Sequence, residues 1–81
     1  MKARIEVVLK KGVFDPQGKT IENALHHLDY SSVSKVQAGK LFYVDLDETD
    51  KTKALAKLAK MADTLFANPI IEDYRVEIVE A

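Results

Sequence analysis

The 81-residue sequence contains no cysteine and no tryptophan, only two prolines and three glycines, and only two histidines, which are adjacent. Without cysteine there are no disulfides and no thiolate metal sites. Adjacent helical residues point about 100° apart, so His26 and His27 do not share one metal, and neither has a carboxylate four residues on. The pair reads as a solvated helix face. Charge of one sign is also missing: 12 basic residues stand against 13 acidic ones, a net charge of −1. That balance lacks the basic face nucleic acid requires. There is no apolar run long enough to span a membrane and no signal-peptide core behind Met1-Lys2-Ala3-Arg4, so a cytoplasmic protein is expected. A domain this small buries only about 60% of the surface of its unfolded chain. With disulfides and metals set aside, oligomerisation is the expected source of further stability.

The hydrophobic content of 47% belongs to one globular domain, 1–81. Residues 2–10 alternate, with Ile5, Val7 and Leu9 on one side, and read as a half-buried strand. Residues 11–18, KGVFDPQG, are a connection in which Asp15 suits a helix cap and Pro16 a first helical position. Gly18 places the regular helix slightly later, over 19–30, with Ile21, Ala24, Leu25 and Leu28 as its apolar stripe. Residues 33–47 carry strand character, with Phe42, Val44 and Leu46 alternating with Tyr43, Asp45 and Asp47. That run is about three times the usual strand length. Gly39 is the place for an interruption: a hairpin, a bulge, or a bent strand that crosses to a second subunit.

Residues 50–67 are the clearest helix, capped by Asp50 and stopped at Asn68-Pro69. Leu55, Leu58, Met61, Ala62, Leu65 and Phe66 share an arc of roughly 160°, wider than one sheet face requires. Residues 70–79 alternate again, with Tyr74, Val76 and Ile78 on one side. The expected fold is therefore α+β, an antiparallel sheet with two helices packed on one face, in the order β-α-β(-β)-α-β, related to the ferredoxin-like arrangement.

Chemistry is sparse. Ser31, Ser32 and Ser34 lie in no nucleophile elbow. Asp45, Asp47, Glu48 and Asp50 lead into a helix N-terminus, where negative charge complements the macrodipole. There is no phosphate-binding glycine motif, and the lysines at 51, 53, 57 and 60 form a solvated face. A carrier or anion-binding ferredoxin-like domain would need cysteines or an arginine in KGVFDPQG, and Asp15 repels anions there. The residues support no active site, and no cofactor or metal is expected on this chain. They point to a small domain that works through contacts.

Three stretches in order, DPQG at 15–18, VQAGKLF at 36–42 and ANPIIEDYRVE at 67–77, resemble the PurS-type small subunit of phosphoribosylformylglycinamidine synthase. The likeness spans nearly the whole chain. It implies a PurS-like fold and a non-catalytic subunit of an ATP-, Mg- and glutamine-dependent ligase complex in purine biosynthesis. The implied partners are a large synthetase subunit and a glutaminase, which this chain would bridge while supporting ammonia transfer. A homodimer or homotetramer is also implied. Contact surface is expected from loops held on a rigid scaffold: Asp15, Pro16 and Gly18, then Gly39 and Lys40, then Asn68, Pro69, Glu72, Asp73 and Tyr74. In the plainer reading, Glu72-Asp73-Tyr74 is a structural junction between helix and strand. The alternative function is a free-standing dimeric domain that senses a small ligand; a small enzyme with an unrecognised site is the third possibility.

Overall fold

The computed structural model describes residues 1–80. Strand β1 (Lys2–Leu9) is followed by helix α1 (Pro16–His27), strand β2 (Gly39–Asp45), helix α2 (Lys51–Met61), a π-helical turn (Ala62–Phe66) and strand β3 (Glu72–Glu80). The strands form one antiparallel sheet in the order β2-β1-β3. This is the expected α+β class, with an undivided β2 giving the order β-α-β-α-β.

The central strand carries the alternation read from the sequence. Ala3, Ile5 and Val7 are fully buried, whereas Arg4, Glu6 and Val8 face the other way. Register is set by that pattern, since a slip of one residue would turn the apolar set to solvent. Ile5 stands opposite Phe42 on β2 and Val76 on β3. On the outer face Arg4 lies across from Glu77, and their side chains meet at 2.6 Å.

Helix α2 starts where Asp50 accepts hydrogen bonds from the backbone N–H groups of Thr52 and Lys53. Ala54, Leu58 and Ala62 form its buried stripe. Leu58 and Ala62 join Ala3, Ile5, Val7 and Ala67 in the core, which Phe42, Val44, Tyr74, Val76 and Ile78 flank. The α-helical pattern then breaks. The Ala67 N–H bonds to the Ala62 carbonyl five residues back, at 2.8 Å, and this wider turn advances less per residue. It brings Phe66 onto the sheet, stacked on Phe42 with ring centroids 4.5 Å apart. Leu65, which a regular helix would turn toward the core, is left 79% exposed.

Helix α1 stands apart from this two-layer body. It begins at Pro16, with Gly18 inside its first turn rather than before it. Its buried residues are Gly18 and Glu22. None of its side chains belongs to the core or to the ring of residues packed against it. The helix ends at His27, and two residues on Asp29 takes a φ of 71°, the left-handed conformation that commonly follows helix ends. Of the strand expected over 33–47, only 39–45 pairs in the sheet; residues 33–38 have no regular secondary structure and are held to α1 and its cap by the His26–Val33 and Asp15–Ala38 contacts.

Candidate functional site: a junction of three segments

At one end of the sheet the DPQG loop, the start of β2 and the start of β3 converge. A shallow notch of about 200 Å³ lies between them, lined by Asp15, Gln17, Ala38, Gly39, Lys40 and Glu72 among others.

Asp15 ties two segments together. One carboxylate oxygen accepts the Gly18 N–H at 2.9 Å and caps α1; the other accepts the Ala38 N–H at 2.8 Å. Hydrogen bonds from the Gly18 and then the Ala38 N–H groups hold this carboxyl below its ordinary pKa. The tight approach explains Gly18. A Cβ there would lie 2.2 Å from the Val36 carbonyl oxygen. Gly39 is similar: a Cβ would lie 2.8 Å from the Val7 carbonyl oxygen.

Glu72 ties the third segment. Its carboxylate accepts the Asn68 N–H at 2.7 Å and meets Lys40 Nζ at 3.4 Å. The Asn68 hydrogen bond is the leading cause of its lowered pKa, with Lys40 adding to it. The Glu72 N–H returns a bond to the Asn68 carbonyl, and the Asn68 side chain accepts the Ile70 N–H. The turn through Asn68-Pro69 is thus closed on both sides. Asp73 faces outward and pairs with Lys10 at 3.2 Å. Tyr74 stands opposite Val7, where burial first and the Asp63 carboxylate second raise its phenol pKa.

The structure therefore brings Asp15, Gly39, Lys40 and Glu72 around one notch, with Asn68 one hydrogen bond away. Pro16 and Pro69 are exposed on its flanks. Glu72-Asp73-Tyr74 behaves as a junction: one residue bonded to the turn, one paired with Lys10, one packed beside the core. Asp15 and Glu72, each holding a backbone N–H and each with a lowered pKa, are anions at neutral pH and poor proton donors. Among the described residues no group of three metal-ligating side chains occurs.

Other contacts were not legible in the sequence. Gln37 Nε2 reaches the Leu9 carbonyl at 3.3 Å, and His26 Nε2 contacts the Val33 carbonyl at 2.7 Å. The alternation of half-buried Val36 and Ala38 was the available signal.

Fold and junction define a small α+β domain whose polar groups serve to position backbone segments. Residues 2–80 match the model of the PurS, phosphoribosylformylglycinamidine (FGAM) synthase, family. The sequence is 37% identical to the PurS subunit of that synthase from Bacillus subtilis, covering 98% of this chain and 93% of that protein. The crystal structure of Methanocaldococcus jannaschii PurS, one of the subunits of formylglycinamide ribonucleotide amidotransferase in the purine biosynthetic pathway, superposes with a TM-score of 0.83 at 38% identity over 98% of both chains. A chain of the Thermotoga maritima PurLQS structure gives a TM-score of 0.85 at 33% identity, covering 94% of this chain and 93% of that one. The protein belongs to the PurS family of phosphoribosylformylglycinamidine synthase subunits.

Proposed function

We propose that this protein is the non-catalytic PurS subunit of a phosphoribosylformylglycinamidine synthase complex in the cytoplasm. In this reading it bridges the glutaminase and the large synthetase subunit and supports glutamine-dependent amidine formation by ammonia transfer. ATP, Mg and glutamine are used by the partner subunits and not by this chain. The protein acts as a homodimer or homotetramer. The observation that carries the reading is the likeness over nearly the full chain to a subunit found in PurLQS. The junction agrees with it, because Asp15 and Glu72 use their carboxylates to hold backbone segments in place. In this reading the rim of the junction, with exposed Pro16, Pro69 and Asp73, meets a partner.

The test is amidine formation by the synthetase and glutaminase, with and without this protein, using glutamine or ammonia as nitrogen donor. Glutamine-dependent turnover is expected to require the protein, whereas ammonia-dependent turnover proceeds without it. Equal rates with both donors in its absence, together with no detectable complex, would overturn the assignment.

A further inference from the structure

A second hollow, of about 180 Å³, borders the DPQG loop and shares only Asp15 with the notch. Its walls are Val13 and Phe14 of the loop, Lys19 and Glu22 of α1, and Lys35 and Val36 of the segment before β2. The volume corresponds to about six water molecules. That is room for a small metabolite, below the roughly 300 Å³ at which pockets for drug-sized ligands begin.

The lining carries two charges that the chain leaves incompletely paired. Glu22 is the one buried charged residue among those described, 9% exposed, and a buried carboxylate is costly unless its oxygens find donors. Lys19 Nζ approaches one oxygen at 2.9 Å, and no second donor reaches this carboxylate among the described residues. Lys35 brings a positive charge from a different segment. It lies near enough to Asp15 to help lower that carboxyl's pKa, after the Gly18 and Ala38 hydrogen bonds. The Asp15 oxygens are already engaged by backbone N–H groups, and Lys35 forms no ion pair among the described residues. Between the two charges the lining is apolar. Val36 is half-buried, and Phe14 is 71% exposed and contributes nothing to the core.

We propose that this hollow binds a free α-amino acid with a short aliphatic side chain. Glu22 takes the ammonium, Lys35 takes the carboxylate, and Val13, Phe14 and Val36 cover the side chain. The two charged groups sit on segments that Asp15 ties together through the Gly18 and Ala38 N–H groups. Their spacing is therefore set before a ligand arrives, which lowers the cost of binding. A ligand with only one of the two charges would leave either Glu22 or Lys35 without its partner, so the site selects a zwitterion. A metal cation fits less well, because two lysines share the hollow and Asp15 is engaged by backbone donors. A simple anion is opposed by the Glu22 charge. The inference does not rest on the subunit role; it adds a small-molecule site to a chain otherwise read as working through protein contacts.

The experiment follows the amide chemical shifts of 15N-labelled full-length protein while L-valine is added to about 50 mM. The expected result is a saturable shift confined to the amides around Val13, Phe14, Glu22 and Val36, with a roughly millimolar dissociation constant. Isobutylamine keeps the ammonium and isovalerate keeps the carboxylate; each is expected to bind about tenfold more weakly than valine, or not at all. Lys35→Met alters an exposed residue outside the helices and strands, so it is expected to leave the melting temperature unchanged and to weaken valine binding about tenfold. Glu22→Gln is expected to weaken it by a similar factor. No saturable shift up to the highest concentration overturns the proposal. So do shifts centred elsewhere, or equal binding of either singly charged analogue. If Glu22→Gln does not fold, Lys35→Met decides alone: undiminished affinity for valine in that variant overturns the site.

Discussion

Asp15 shows how a single carboxylate organises a chain with few special residues. It caps a helix and anchors a residue 23 positions beyond it, using both oxygens for backbone donors. Its lowered pKa means that its contribution is full above the ordinary carboxylate range and is lost as pH falls through the folded-state value. Glu72 and Glu48 are lowered too and act in the same direction. Stability is therefore expected to decline from about pH 5 downward. Thermal melts of the protein and of Asp15→Asn across that range check this: the variant melts lower at neutral pH, and the gap closes in acid. Asparagine retains one acceptor and turns a donor toward a donor. Gly18 invites a second experiment. Helix propensity alone makes Gly18→Ala stabilising by about 1 kcal/mol. Because the added Cβ meets the Val36 carbonyl, the expected sign is the reverse, a loss of about 1–3 kcal/mol by chemical denaturation.

Among the elements, β1 and α2 are the ones that sequence periodicity describes well, because each buries one face in the body to which it belongs. Leu58 is fully buried at the centre of that contact. Leu58→Ala is expected to cost about 2–5 kcal/mol, and Asp50→Ala, which removes the α2 cap, about 1 kcal/mol; both are read from urea unfolding. The end of α2 was less legible. An arc drawn at 100° per residue assigns Leu65 and Phe66 equally to the core, and only the π-helical turn decides between them. Likewise α1 shows an ordinary apolar stripe, yet Ile21 and Leu28 meet no sheet within the chain. A stripe records that a face is to be covered, and not by what.

For the molecule as a whole, the proposed oligomer would make the stability of this elongated chain depend on association. The melting temperature is then expected to rise with protein concentration, by mass action, in calorimetry over about a hundredfold dilution series. A melting temperature independent of concentration would mean that the single chain is complete.

Local alternation, caps and breakers were enough to place β1, the caps at Asp15 and Asp50, the stop at Asn68-Pro69 and the inward face of β3, because each depends on neighbours within a few residues. The same residues marked the junction, since turn chemistry is local. The tertiary structure alone decided that β2 begins at Gly39 with no paired strand before it, that Gly18 belongs inside α1, that Phe66 and not Leu65 packs on Phe42, and that α1 leaves the sheet. Each of those outcomes rests on contacts between segments far apart in the chain, such as Gly18 with Val36 or Asp15 with Ala38, and periodicity carries no information about which distant backbone approaches which.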